Sequence, residues 1–114
     1  MKTAHFQRKP LITSQNLALG ALSYTTSIGR QFKLEEILLR ASVAISETIT
    51  ISRDSNNGSN YDTVLASRVM VSETDFVFRP QGECNFVSGD ELKIQCTNAN
   101  LTATVYVEVR TSEM

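Results

Sequence analysis

Residues that could act in catalysis are few and poorly placed in this sequence. The single histidine, His5, lies near the N-terminus, outside the apparent core, so a Ser-His or Cys-His pair would need that segment fixed in a cleft. Glu35 and Glu36 are adjacent, and neighbouring side chains of a strand point to opposite faces, which argues against shared acid–base chemistry. Cys84 and Cys96 lack the Cys-x-x-Cys and Cys/His spacing of a structural zinc site. We therefore expect a protein that is not an enzyme and that uses no cofactor or metal.

The densest group of oxygen-bearing side chains lies in residues 54–62, where Asp or Asn recurs at alternate positions. Such oxygens are the ligands of Ca²⁺ loops, but Gly58 is misplaced for an EF-hand and no closing glutamate follows at the required distance. Asp and Asn side chains also accept hydrogen bonds from turn backbone, which fits this segment better. The residues that we assign to turns are Asp54, Asn57, Gly58 and Asp62 here, and Gly89 and Asp90 in a second reversal.

The composition indicates one globular domain and excludes several classes of partner. The chain has 114 residues, with 11 basic and 12 acidic side chains and a net charge of −1, which argues against a basic nucleic-acid coat. No apolar run approaches the ~20 residues of a membrane span, and the first residues lack the apolar stretch of a signal peptide. We expect no nucleic-acid or membrane partner, synthesis in a cytosol, and free thiols at Cys84 and Cys96, although strands that brought the two together would allow a bridge.

Residues 1–16 differ from the rest of the chain. They carry Lys, His and Arg side chains but no acidic one, and their apolar residues follow neither a strand nor a helix period. We predict a basic N-terminal arm over residues 1–16, followed by a single domain over residues 17–114. The arm is either an ordinary frayed terminus or a segment that docks on an acidic neighbouring surface.

Alternation of apolar and polar residues predicts strands in the body of the chain. Residues 101–110 have a period of two, residues 92–97 do the same, and turn residues at 98–100 separate them. We expect these two segments to pair as an antiparallel hairpin. A second hairpin is expected from residues 48–52 and 64–71, with Asn57 and Gly58 supplying the positive φ that a tight reversal needs.

Residues 32–43 fit two periodicities. Their apolar side chains suit a helical stripe, or a strand with a bulge at Glu35-Glu36, and the strands on both sides favour the strand. Further short strands are expected at 22–26 and 76–78, the second stopped by Pro80. About a fifth of the residues are Ser or Thr, which suits polar strand faces. The sequence thus predicts an all-β fold, an antiparallel β-sandwich or jelly roll of seven to eight strands.

Four segments resemble a group of small jelly-roll proteins encoded in tailed-bacteriophage genomes. The most specific is ITISRDSNNGSNYDTVLASRV at 49–69; FKLEEILLRAS precedes it, and TDFVFRP and the GDELKI…TNAN…VYVEV pattern follow in the expected order. The resemblance covers roughly residues 30–110. It implies a virion protein of the capsid decoration, or cement, type, which forms a homotrimer on the major capsid protein. It also implies a location on the capsid exterior after synthesis in the cytoplasm of the bacterial host.

The resemblance gives the N-terminal arm a role in docking on the capsid. Exposed ion pairs contribute at most ~1 kcal/mol each, so apolar side chains, worth roughly 1.5–3 kcal/mol each when buried, would carry the affinity. The residues expected to dock are Lys2, His5, Phe6, Arg8, Lys9, Leu11 and Ile12. The alternative is a tail or fibre module that recognises a host-surface glycan, since jelly rolls also serve as lectin domains. Its candidate site is Tyr61 with Asn57, Asn60 and Asp62.

Overall fold

The computed structural model describes residues 9–27 and 29–113, and over these ranges the chain is all β except for a 3-10 turn at Ser59–Tyr61. Two antiparallel sheets pack as a sandwich, which confirms the predicted fold class. In chain order the strands are β1 (Leu11–Asn16), β2 (Leu22–Thr26), β3 (Phe32–Ile45), β4 (Thr48–Asp54), β5 (Thr63–Val69), β6 (Glu73–Phe78), β7 (Asn85–Phe86), β8 (Glu91–Cys96) and β9 (Thr104–Ser112). The two strands that the sequence did not predict are β1 and β7, and the two residues of β7 are too few to show alternation. In the described part of the chain, no helix is long and apolar enough to span a bilayer.

The first sheet has the order β1-β9-β3-β6, with β7 paired to β3, and the second sheet has the order β2-β8-β4-β5. Most consecutive strands lie in different sheets, so the chain crosses the core repeatedly along a jelly-roll-like path. Of the consecutive strands that share a sheet, β4 and β5 pair directly and confirm the hairpin predicted around residues 54–62, whereas β6 and β7 both pair with β3. The edges of the sandwich are therefore β1 and β2 on one side and β6 and β5 on the other.

The predicted hairpin of the last two strands is wrong. β8 lies in the second sheet between β2 and β4, whereas β9 lies in the first sheet between β1 and β3. Residues 97–103 cross between the sheets, with left-handed backbone at Leu101 (φ 52°) and Ala103 (φ 79°). Alternation shows which side chains of a strand face the core. Two strands that pair side by side in one sheet show the same alternation as two strands that face each other from different sheets. The pattern therefore could not distinguish these two arrangements.

The strand interpretation of residues 32–43 is confirmed, including its bulge. The register of β3 against β9 shifts between Leu34 and Glu36. Because of this shift Leu34 and Ile37 are both buried although their spacing is odd, which simple alternation would forbid. The same change of phase turns Leu38 to the outer side of the sheet, beside buried neighbours in the sequence.

Apolar side chains from both sheets fill the space between them. Phe32 of β3 and Phe86 of β7 stack with ring centroids 4.7 Å apart, and the guanidinium of Arg53 lies 4.6 Å from the centroid of Phe86. Each fully buried side chain of this size contributes roughly 1.5–3 kcal/mol. Cys84 and Cys96 are buried free thiols, as the sequence predicted.

The loop between β4 and β5 confirms two of the predicted turn residues. Gly58 has φ 108°, and the Asp62 carboxylate Oδ1 accepts a hydrogen bond of 2.8 Å from the amide of Ser55. Asn57, in contrast, does not have the positive φ that was predicted for it. A single glycine is enough here, because the loop is longer than a two-residue hairpin turn and contains the 3-10 turn.

The turn between β7 and β8 is built on the predicted Gly89 and Asp90. Gly89 has φ 91°. Asp90 is buried; its Oδ1 accepts a hydrogen bond of 2.8 Å from the amide of Asn56, and its Oδ2 accepts one of 3.1 Å from the amide of Val87. The Asn56 side chain lies directly against Gly89, where an added Cβ would be 2.6 Å from Asn56 Cγ. One carboxylate thus ties the β4–β5 loop to the β7–β8 turn.

Two segments that the sequence placed in loops are strand instead. Asp54 is the last residue of β4, and its Oδ2 lies 3.4 Å from Lys93 Nζ on the neighbouring β8. Residues 11–16, predicted as the end of the arm, form β1 and pair with β9, with Leu11 opposite Val109. Only one apolar side chain of β1 points inward, so its alternation was too weak to detect.

Candidate protein-docking face

The outward face of the second sheet is polar along its central strands, and its exposed valines, Val64 and Val69, lie on the edge strand β5. Residues directly opposite each other on paired strands point to the same side. The register therefore aligns Ser23, Gln95, Thr50 and Ser67 in one row across β2, β8, β4 and β5. This face carries the Ser and Thr side chains that the composition predicted for strand surfaces, and a hydrated hydroxyl surface gains little from burial.

The outward face of the first sheet has a different character. Its register aligns Ile12, Glu108, Leu38 and Val77 in one row across β1, β9, β3 and β6. The adjacent row consists, in the same strand order, of Ser14, Tyr106, Arg40 and Asp75. It therefore has a tyrosine on the central strand β9 and an ion pair between β3 and the edge strand β6. The two rows together place apolar side chains next to charged ones on four neighbouring strands.

A groove of about 390 Å³ follows these two rows. Ile12 is 74% exposed, Tyr106 51% and Val77 45%, so apolar surface is accessible at both edges and in the centre. Single exposed apolar residues are ordinary, but a contiguous set rimmed by charges marks an interaction surface. We call this surface the docking face, and it consists of Ile12, Leu38, Arg40, Asp75, Val77, Tyr106 and Glu108.

Ion pairs border the docking face along the next row. The largely shielded carboxylate of Glu36 pairs with Arg79 and, at 3.2 Å, with Arg110. Arg110 Nε also lies 2.7 Å from Glu108, and this hydrogen bond raises the pKa of Arg110. Arg40 Nε lies 3.6 Å from Asp75 on the face itself. Exposed pairs of this kind contribute little to stability, but they fix the orientation in which a partner can approach.

The structure divides the residues predicted to dock. Ile12 lies on the docking face, whereas Leu11, the residue before it, points inward and packs against the core. Lys9 is exposed and precedes β1. The remaining predicted residues, Lys2, His5, Phe6 and Arg8, lie outside the described part of the chain.

The residues of the alternative glycan site lie together in the β4–β5 loop. Tyr61 is 64% exposed, and Asn57 and Asn60 are exposed beside it in the sequence. Asp62 already accepts the hydrogen bond from the Ser55 amide, so one of its oxygens is engaged in the turn. The loop thus offers an aromatic surface and two free amide side chains.

Sequence reasoning missed most of the docking face. Tyr106 and Glu108 were seen only as the polar side of the last strand, and Leu38 was hidden among apolar neighbours. The available signal was the bulge at Glu35-Glu36, since a change of phase there leaves one member of the run Ile37-Leu38-Leu39 on the outside. Over residues 9–27 and 29–113, no cluster of three or more His, Cys, Asp or Glu side chains could hold a metal ion.

Comparison with known proteins gives a distant structural likeness. No family model matches the chain, and no curated protein matches its sequence. Among solved structures, the chain is similar to the Drosophila NLP-core, a crystal structure described as giving insight into pentamer formation and histone binding. The identity is 13% and the TM-score 0.46, over 90% of this chain and 96% of that chain. Neither the pentamer nor the histone binding is transferred to this protein.

Proposed function

We propose that this protein is a structural protein that attaches to a larger protein assembly through the docking face. The contiguous apolar and charged surface on the first sheet is the observation that carries this proposal. With the sequence resemblance, it supports a homotrimeric decoration protein that binds the major capsid protein on the outside of a phage capsid and stabilises the shell. Lys9 is exposed just before β1, the strand that carries Ile12, so these two predicted docking residues would reach the same partner.

The size of the docking face favours attachment at several points. Four strands about 4.8 Å apart, each contributing about four residues at about 3.3 Å per residue, span about 250 Å². A stable interface buries about 800 Å² per partner, so one copy of this face holds a partner weakly. Three copies on a symmetric trimer would bind a repeating lattice simultaneously and gain affinity by avidity.

Two matched variants test the docking face. Val77 in β6 and Val69 in β5 are both exposed valines of edge strands, but Val77 lies on the docking face and Val69 on the second sheet. Val77→Asp would bury a charge against the partner, so we expect at least a tenfold loss of cosedimentation with capsids assembled without this protein. Val69→Asp should bind like the wild type. Equal binding by both variants, or loss only in Val69→Asp, would refute the docking face, and light scattering tests the trimer separately.

The exposed Tyr61 supports a second candidate, the glycan-binding module. Stacking of a sugar on this ring, with Asn57 and Asn60 as hydrogen-bond partners, would place recognition on the β4–β5 loop. Purified protein should then bind host cells, and Tyr61→Ala should abolish that binding while Val77→Asp leaves it intact. Absence of cell binding by the wild type would reject this candidate.

A further inference from the structure

Three connections of the sandwich meet at one end, around residues 97–103. We call residues 97–103, which run from β8 to β9, the crossing segment. It contacts the β1–β2 connection, since the Leu17 amide donates to the Ala103 carbonyl at 2.9 Å and Asn98 Nδ2 donates to the Leu17 carbonyl at 3.2 Å. It also contacts the β3–β4 turn, where Asn100 Nδ2 donates to the Ser46 carbonyl at 3.0 Å.

The side chain at the centre of this junction is Glu47, which is only 3% exposed. Its Oε1 accepts hydrogen bonds from the Thr97 hydroxyl at 2.7 Å and the Ala99 amide at 3.0 Å, and its Oε2 accepts one from the Asn100 amide at 2.8 Å. All three donors belong to the crossing segment and all are neutral. The described ion pairs include none with Glu47. A buried carboxylate is thus held by one loop alone.

The backbone of the crossing segment is strained at two positions. Leu101 and Ala103 both have positive φ, at 52° and 79°, in a segment without glycine. Non-glycine residues in this region are strained and persist only where surrounding contacts enforce them. The hydrogen bonds to Glu47 hold Ala99 and Asn100, the two residues immediately before Leu101, whereas the Ala103 carbonyl accepts its hydrogen bond from the Leu17 amide.

We propose that Glu47 is an acid-sensitive latch: its charged carboxylate holds residues 97–103 in their strained path, and protonation releases them while the two sheets stay packed. A protonated carboxyl has lost its charge and carries a hydrogen on one oxygen, so it is a weaker acceptor for the three donors. Release would also loosen Leu17, because that residue is bonded to both Asn98 and Ala103. The latch does not depend on what the docking face binds.

The direction of the pH effect follows from the surroundings of Glu47. Burial by itself would raise the pKa of Glu47, but the hydrogen bonds from Asn100, Thr97 and Ala99 outweigh it and hold the pKa below its ordinary value. At a pH between the lowered pKa of Glu47 in the folded protein and its ordinary pKa in the unfolded chain, the folded protein therefore binds fewer protons than the unfolded one. The stability that Glu47 contributes is complete above the unfolded pKa of about 4.3 and is lost as the pH falls through the lowered folded pKa.

Two other titratable groups face the junction and need to be separated from Glu47. Cys96 ends β8, and burial followed by the Glu47 charge raises its pKa to about 11, so it stays neutral in acid. Glu73 begins β6, opposite Ile45, and hydrogen bonds from Val71 and Arg68 lower its pKa as well. Because the pKa of Glu73 is lowered in the same direction as that of Glu47, Glu73→Gln is the matched control.

Amide hydrogen exchange followed by NMR tests the latch in the full chain. Between pH 6 and pH 3.5 we expect the protection factors of the Ala99 and Asn100 amides to fall by about two- to sevenfold, the range that one carboxyl with an unfolded pKa of about 4.3 allows, while those of Ile51 and Val107 in the core stay unchanged. Glu47→Gln should show the low protection already at pH 6 and no pH dependence. Glu73→Gln should respond like the wild type.

Three results would overturn the latch: unchanged protection at pH 3.5, simultaneous loss of protection in the core, or a pH dependence abolished by Glu73→Gln rather than by Glu47→Gln. If Glu47→Gln fails to fold, the wild type decides alone. The carboxyl ¹³C shift of Glu47 must then titrate with the same midpoint as the protection of Ala99 and Asn100, and a different midpoint would reject the proposal.

Discussion

Replacement of Gly89 by alanine should be among the most damaging small changes in the described chain. Gly89 has φ 91°, a conformation in which an alanine costs about 1–2 kcal/mol. The new Cβ would lie 2.6–2.9 Å from three side-chain atoms of Asn56, closer than real contacts allow. Displacement of Asn56 strains the hydrogen bond that its backbone amide donates to the buried carboxylate of Asp90. A hydrogen bond to a charged group of this kind is worth about 1.5–3 kcal/mol. We expect a total loss of about 2–4 kcal/mol.

Urea denaturation of four variants separates the two contributions. Gly58→Ala places no atom within 4 Å of the added Cβ, but its backbone, with φ 108° and ψ 166°, is essentially restricted to glycine, so it should lose about 1–3 kcal/mol. Gly82→Ala has neither problem and should resemble the wild type. Adding Asn56→Ala to Gly89→Ala should recover part of the loss by removing the contact. A double variant that is no more stable than Gly89→Ala would refute the role of the Asn56 contact.

Two further predictions concern the core. Phe86→Ala removes a fully buried ring that stacks on Phe32, and urea denaturation should show a loss of about 3–5 kcal/mol; a loss below 1 kcal/mol would contradict this packing. Burial raises the pKa of Cys96 to about 11 and also raises that of Cys84, so at pH 8 neither thiol should react with iodoacetamide in the native protein, although both should react after denaturation. Mass spectrometry measures the modification, and rapid labelling of the native protein would show that these thiols are accessible.

The elements that the sequence revealed are those whose signal is local. Alternation in residues 92–97 and 101–110 identified β8 and most of β9 and the side chains that each strand buries. Gly58, Gly89 and Asp90 were found because turns need particular residue types at particular positions. The bulge in β3 was predicted because the apolar residues of 32–43 fit a strand only if its alternation changes phase at Glu35-Glu36.

The features that the sequence did not reveal depend on distant partners. Whether β8 and β9 pair or face each other is decided by β2, β4, β1 and β3, which lie far away in the chain. The docking face combines side chains from four strands, and none of them stands out within its own segment. The latch was missed for the same reason, since Glu47 and Asn100 are joined only in the folded chain.

The neighbourhood of β1 and β9 in the first sheet has a mechanical consequence. Because the two strands are antiparallel, with Leu11 opposite Val109 and Asn16 opposite Thr104, the chain enters the first strand and leaves the last at the same end of one sheet. Force pulling these two points apart would separate the ladder one residue pair at a time, beginning at Leu11. Load spread over the outward side of the sheet would instead be shared by four strands at once. A pulling force applied through a fusion partner at the end of either strand would therefore separate β1 from β9 easily. A force applied through the outward face of the sheet would be resisted by all four strands.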